Sequence, residues 1–272
     1  MRLVVLLPAL NEESSIESLI KQVHKSALEL CKEVVILVCD DGSTDRTPEI
    51  LNELTQHLPI EIITHKRNRG LGETIRDLIE RACEITEPSD LIVRLDADET
   101  HEPTYFRAMK QAIEGGADVA IASRFAEGGG QLGVPKTRAF LSRGANLFMK
   151  VMFPIKGLRE YSSGFRMYRA QVLHRAVDHY GNNFIQVKGL GFTCTLEKLV
   201  KLNMMGVHFE EIPFVLRYDQ KVGPSKMVSS VTTLGYGVLA VMYHWPFGGW
   251  RSQAKRNGKR FRVPNDDVSF PS

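Results

Sequence analysis

Five short runs of nearly unbroken apolar residues, separated by helical patterns, constrain this 272-residue chain more than any other feature. Residues 3–7, 34–39, 60–64, 91–95 and 119–123 read as strands rich in Val, Ile and Leu. They lack the polar alternation of a half-solvated sheet, so both faces of each strand must be covered, as in parallel sheets. Four helices fit between the five strands, which makes a βαβ series. Ser14-Ser15-Ile16-Glu17 reads as a capping box for a helix reaching about Leu30. Thr47-Pro48-Glu49 offers a cap, a first-turn proline and an acidic first turn, and Pro103 opens a further helix. The expected class is α/β, with a mostly parallel central sheet and helices on both faces.

The second half changes character, with a Gly-rich loop over residues 128–133, a helix from about Lys136 to Met152, and mixed elements up to Tyr243. No linker or repeat interrupts it. Residues 1–227 are expected to form one catalytic-size domain, residues 228–250 an apolar helix, and residues 251–272 a polar basic tail. The apolar helix carries Ser229, Ser230, Thr232, Thr233, Gly235 and Gly237, so it suits a core or interfacial position better than a membrane span. The tail, with Arg251, Lys255, Arg256, Lys259, Arg260 and Arg262, reads either as loosely ordered or as a membrane-surface contact. A net charge of only +3 gives no reason to expect a nucleic-acid partner. Cys31, Cys39, Cys83 and Cys194 form no CxxC pair and sit in apolar stretches, which predicts reduced, buried thiols in a cytoplasmic protein. The apolar start is too short for a signal peptide.

In open α/β sheets ligands bind beyond the C-terminal strand ends, so the polar residues at those ends carry the chemistry. Residues 91–95 deliver Asp96 and Asp98, two carboxylates with one residue between them. A hard cation relieves their repulsion, and Mg²⁺ commonly combines one or two carboxylates with substrate phosphates and water; Mn²⁺ also fits oxygen ligands. A solvated acidic loop would account for the pair equally well. The second exit, Asp40-Asp41-Gly42-Ser43-Thr44-Asp45, places carboxylates where a nucleotide base or ribose could be held. The first, Pro8-Ala9-Leu10-Asn11-Glu12, has the loop and polar atoms to frame a nucleoside. The third, Lys66-Arg67-Asn68-Arg69-Gly70-Leu71-Gly72, offers cations and backbone N–H groups ahead of a helix, a diphosphate neighbourhood or a solvated basic loop.

Taken in this order and at these strand exits, the four motifs resemble the inverting family 2 glycosyltransferases. Ser123-Arg124-Phe125, residues 138–146, Ser162-Ser163-Gly164-Phe165-Arg166 and Glu211-Ile212-Pro213-Phe214 are similar to the polyprenyl-phosphate (dolichol-phosphate) mannose synthase branch. The similarity covers roughly residues 2–227. It implies a GT-A fold, a Rossmann-like nucleotide-diphospho-sugar transferase architecture, with a nucleotide-diphosphate sugar donor such as GDP-mannose or UDP-glucose. It also implies a divalent cation and inversion at the anomeric carbon. By motif position Asp98 is the principal metal ligand, assisted by Asp96; Pro8, Ala9, Asn11, Glu12, Asp41, Gly70 and Ala97 belong to the donor site. Arg124, Arg138 and Ser142 match the positions that bind an acceptor phosphate. Arginine suits such a bidentate task, and Arg138 and Ser142, four residues apart, share a helix face.

Three positions depart from the branch. Thr100 stands where a polar metal ligand such as Gln is common, Glu160 where Asp is usual, and Gln220 precedes Gly223 where the branch has an Arg-x-x-Gly-x-Ser-Lys run, so Lys221 or Arg217 would supply the charge toward the donor. A lipid-phosphate acceptor is already anionic and needs no general base. A hydroxyl acceptor does, with Glu160 and then Asp219 as the candidates. The expected protein is therefore a metal-dependent transferase acting on a polyprenyl phosphate, peripheral on the cytoplasmic face of a membrane or paired with a membrane partner. Transfer to a sugar hydroxyl and a catalytically silent nucleotide-binding protein are the rival readings.

Overall fold

Val4, Val5 and Leu6 are all but completely buried, which demands neighbours on both sides of the strand and cover on both faces. The computed structural model describes residues 1–220 and 229–245. In chain order it contains β1 (Arg2–Ala9), α1 (Ile16–Leu28), β2 (Glu33–Asp40), α2 (Thr47–Leu54), β3 (Ile60–Thr64), α3 (Leu71–Ile85), β4 (Leu91–Arg94), α4 (Phe106–Glu114) and β5 (Val119–Ser123). There follow β6 (Gly130–Leu132), α5 (Lys136–Met152), β7 (Arg166–Arg169), α6 (Ala170–Tyr180), α7 (Thr193–Met204), β8 (Phe209–Pro213), β9 (Val215–Arg217) and α8 (Ser229–His244). The expected basic tail and the end of the apolar segment lie outside the described residues, as does Lys221.

Seven strands form one sheet in the order β3-β2-β1-β4-β7-β5-β8. The pairs β1–β2, β1–β4, β2–β3 and β5–β8 are parallel, and β7 runs antiparallel between β4 and β5. Alternate residues of β1 feed two cores. Val4 and Leu6 pack with Ile75, Leu78, Leu173, Leu199 and Leu239, from α3, α6, α7 and α8. Leu3, Val5 and Leu7 pack with Ile16, Leu51 and Met109, from α1, α2 and α4. The switch in strand order at β1 leaves the ends of β1, β2 and β4 facing one crevice, where a ligand is expected. Cys31, Cys39 and Cys194 are buried free thiols and Cys83 is half-buried, in keeping with a structural role.

Several local expectations are overturned by tertiary contacts. The Ser14 capping box does not form: α1 begins at Ile16 behind Ser15, which makes no cap. Instead the Ser15 hydroxyl donates to the Ala97 carbonyl at 2.9 Å and so ties the helix start to the β4 exit. Thr47 is not a cap either. Its Oγ1 accepts the Glu12 N–H at 2.8 Å, and the Thr47 N–H is satisfied by Asp45 Oδ1 at 3.0 Å. The Gly-rich segment is not all loop, because residues 130–132 pair with residues 215–217 as a small parallel sheet. In each case a polar group that could serve its own helix or turn serves a neighbouring strand exit.

Glu12 and Thr47 are both buried, so Thr47→Val leaves the Glu12 N–H without a partner. Unfolding by urea should show a loss of about 1–3 kcal/mol, the scale of an orphaned buried donor, where a simple surface substitution would change little.

Candidate active site

The strand exits open on a cavity of about 680 Å³. Pro8, Ala9, Glu12, Asp41 and Gly70 from the first three exits, Asp96, Ala97 and Asp98 from the β4 exit, Arg124 from the β5 exit, and Arg138 and Ser142 from α5 all line it. The loops at the first three exits are knotted together. Asp41 Oδ1 accepts the Arg69 N–H at 2.8 Å and lies 2.6 Å from His65 Nδ1, while Oδ2 accepts the Gly70 N–H at 2.9 Å. Asn11 takes a left-handed backbone with φ 51°, and its Oδ1 accepts the Thr44 N–H at 2.8 Å. Asn11 is exposed, is not among the residues that line the cavity, and holds the first loop to the second. In the third loop the Arg69 guanidinium is bound to Glu73 and Asp77 on α3.

A cation that sequence reasoning missed comes from a wall of the cavity beside Gly70 and Gly72. Lys188 lines the cavity and pairs with Glu73 at 3.3 Å. Its backbone lies against α3 because residue 72 is glycine; a Cβ there would sit 2.5 Å from the Lys188 carbonyl oxygen. Phe192, Thr232 and Tyr236 complete this wall. The one sequence signal for it was the turn Lys188-Gly189-Leu190-Gly191, far from any strand exit.

At the acidic pair, Asp98 Oδ1 accepts the Thr100 hydroxyl at 2.6 Å, so Thr100 orients Asp98. Asp96 receives a hydrogen bond from the Arg94 guanidinium, and its backbone N–H donates to His101 Nδ1 at 3.1 Å. His101 is buried, with its ring stacked on Phe165 at 5.2 Å. Burial pushes its pKa down, which favours the neutral ring, and Nδ1 as acceptor of the Asp96 N–H hydrogen bond fits that form; His101 is a structural hydrogen-bonder. Among the described residues no group of three or more His, Cys, Asp or Glu gathers as a self-sufficient metal cage. Two carboxylates on a cavity wall do fit a hard cation that takes its other ligands from substrate phosphates and water.

Arg124, which lines the cavity, and Glu160 form a forked ion pair, Nε to Oε2 at 2.8 Å and Nη2 to Oε1 at 2.9 Å. Glu160 is fully buried, and Oε1 also accepts the Ser162 hydroxyl and the Ser162 and Ser163 N–H groups. Burial alone would raise its pKa; the Arg124 charge and these hydrogen bonds outweigh it and hold the carboxyl below the usual range. Glu160 does not line the cavity, so the expectation of a catalytic base there gives way to a carboxylate that fixes Arg124. Asp219, the other base candidate, is ion-paired to Arg217 at 2.9 Å and also lies off the cavity wall. Arg138 donates to the Tyr218 hydroxyl at 3.0 Å, with its guanidinium 4.9 Å over the Tyr218 ring. Arg143 is exposed and faces elsewhere.

Comparison with known proteins agrees with this geometry. Residues 4–176 match Glycosyl transferase family 2. The chain belongs to that family. It is 30% identical over 231 residues to a polyprenol monophosphomannose synthase of Mycolicibacterium smegmatis, covering 84% of this chain and 82% of the relative. An undecaprenyl-phosphate mannosyltransferase of Micrococcus luteus is 27% identical over 97% of this chain and 99% of its own length. A dolichol-phosphate mannosyltransferase of Pyrococcus furiosus is 29% identical over 84% of this chain, which spans only 59% of that relative. Among solved structures, glucosyl-3-phosphoglycerate synthase of Mycobacterium tuberculosis with Mn²⁺ and UDP-glucose superposes with a TM-score of 0.58 at 16% identity, over 99% of this chain and 82% of that one. TarS of S. aureus with UDP-GlcNAc gives 0.58 at 16% identity, over 93% and 70%. The fold of this family 2 member is GT-A.

Replacing Glu160 by Gln strands the buried Arg124 charge and should cost about 3 kcal/mol of stability near neutral pH. The folded pKa of Glu160 is depressed below its ordinary 4.5, so the pair contributes fully above that pH and its contribution is lost as pH falls through the folded value. The wild-type advantage over Glu160→Gln, followed by denaturant titration, should therefore shrink on acidification below about pH 4.5.

Proposed function

We propose that this family 2 member moves a hexose, with inversion, from a nucleotide-diphosphate sugar to a polyprenyl phosphate. One observation carries the reading: a single cavity is lined both by the Asp96–Asp98 pair at the β4 exit and by Arg124, Arg138 and Ser142. The relatives named for polyprenol, undecaprenyl and dolichol phosphate, all of them mannose-transferring by name, support a lipid-phosphate acceptor and a mannose donor such as GDP-mannose.

In the proposed reaction an oxygen of the acceptor phosphate attacks the anomeric carbon as the bond to the donor diphosphate breaks on the opposite side. Arg124, locked by Glu160, and Arg138, locked over Tyr218, hold the acceptor phosphate in line, so positioning supplies much of the rate. Asp96 and Asp98 would hold a divalent cation, Mg²⁺ or Mn²⁺, which when bound neutralises charge on the leaving diphosphate. Lys188 adds a positive charge from the wall beside Gly70. The nucleophile is an anion, so no base is required, which suits a site whose candidate bases are both tied up in ion pairs. Purified protein given GDP-mannose, Mn²⁺ and a short polyprenyl phosphate should yield polyprenyl-phosphate mannose by mass spectrometry. Asp98→Ala should lower turnover about 100-fold or more with the fold intact. Absence of product with both GDP-mannose and UDP-glucose would sink the acceptor assignment.

Such an acceptor sits in a bilayer, and the surface beside the cavity suits one. No described helix is long and apolar enough to cross a membrane. Yet among the described residues seven of the eleven exposed large hydrophobics fall on α5 and α8, and Trp245 follows directly after α8. Phe140, Leu147 and Val151 repeat at helical spacing along one stripe of α5, and Leu234 and Val241, seven residues apart, share a face of α8, with Trp245 just beyond its end. The two helices touch where His244 Nε2 meets the Met152 carbonyl at 2.9 Å. The α5 sequence holds no acidic residue, while Lys136, Arg143 and Lys150 are exposed along it. A bilayer with anionic headgroups matches both features, each basic residue near it gaining about 1 kcal/mol. The triple change Phe140→Ser, Leu147→Ser and Val151→Ser should cut co-sedimentation with phosphatidylglycerol-containing vesicles several-fold. Binding that is unaffected by these changes, or by omitting the anionic lipid, would remove this surface from the reading.

A further inference from the structure

Arg94 ends β4 with its side chain almost wholly buried, two residues before Asp96. Its Nη2 donates to Asp96 Oδ1, while Nε and Nη1 have no hydrogen-bond partner among the described residues. The guanidinium has room only because residue 164 is glycine, since a Cβ at that position would overlap Nη1. Like charges surround it. Arg166 is its direct partner across the β4–β7 pairing and is equally buried. Lys198 on α7 is buried too; burial first, and then the nearness of Arg94 and Arg166, push its amine down to about 7.

A buried cation with two orphaned donors and cationic neighbours is a poor device for stability. Its one strong interaction is with Asp96, a carboxylate on the cavity wall. We propose that Arg94 is a positioning residue for the donor site: it pins the Asp96 carboxylate in one orientation beside Asp98, and Gly164 is the residue that admits it. Two segments far apart in sequence, Asp96-Ala97-Asp98 and Ser162-Ser163-Gly164, thereby act as one unit. The inference rests on the donor half of the proposed function and is independent of the acceptor.

Calorimetric titration of GDP and of UDP, each with Mn²⁺, into the full chain reads this out without turnover. Arg94→Met, similar in length and uncharged, should bind the nucleotide about tenfold more weakly, the scale of one charge-assisted hydrogen bond, while its Tm holds or rises as the unpaired charge is removed. Arg94→Lys keeps the charge without the fork and should fall between. Gly164→Ala should lower both Tm and nucleotide binding, and adding Arg94→Met to it should restore Tm but not binding. A lowered Tm with undiminished nucleotide binding in Arg94→Met would make Arg94 a structural residue only and overturn the inference. Equal binding and equal Tm would overturn it as well. Wild-type protein that binds neither nucleotide would overturn the donor reading itself, and this inference with it.

Discussion

Residues 3–6 of β1 pair in parallel with residues 34–37 of β2 on one side and residues 91–94 of β4 on the other, and the rest of the site is built on that placement. Parallel pairing makes the three strands end on the same side. Their side chains are buried on both faces, so a one-residue slip would exchange the two cores, and the register is strongly fixed. Ala9, Asp40 and the Asp96 exit therefore arrive together at one crevice. The loops beyond them are then tied by hydrogen bonds that cross between exits: Ser15 to Ala97, Glu12 to Thr47, Thr44 to Asn11, and Arg69 and Gly70 to Asp41. These ties pre-form the cavity before any ligand arrives, which lowers the ordering entropy that binding must overcome.

Charge burial is the second theme. Arg94, Arg166, Glu160, Glu197, Lys198 and Lys201 are all hidden from solvent. Some are structural pairs. Lys201 and Glu197 meet at 2.6 Å, and Glu197 also accepts the Gln186 and Val187 N–H groups, bracing the segment that leads to Lys188. Others face the site through a single partner, as Arg124 is held by Glu160 and Asp96 by Arg94. Such groups gain little net stability in a low-dielectric interior. They do fix the orientation of a functional side chain, because its rotamer is locked by a charge-assisted bond.

The part of the cavity lined by α5 is built differently from the strand exits. Arg138 and Ser142 lie on α5, and that same helix carries the exposed apolar stripe and an all-basic set of charges. One helix thus presents its inner face to the cavity and its outer face to the surroundings. If a lipid tail leaves the cavity past Leu141, which lines it and is also 63% exposed, the headgroup and the chain are sorted by the two faces of one element.

The sequence by itself determined the architecture, because buried parallel strands leave a pattern of local hydrophobicity that survives without knowledge of partners. It also determined the strand-exit motifs, which follow from where each apolar run stops. What it could not show was the use of each polar group. Ser15 and Thr47 read as caps because their own helix starts are the nearest candidates, yet residues 82 and 35 positions away in the chain claim them. Glu160 read as a candidate base, and the fold made it the brace of Arg124, while Asn11 ties two strand-exit loops together. Lys188 escaped notice since only the α3 packing at Gly72 brings it to the cavity. Hydrophobic periodicity is a local signal, whereas hydrogen-bond partnership depends on distances that exist only once the sheet has closed.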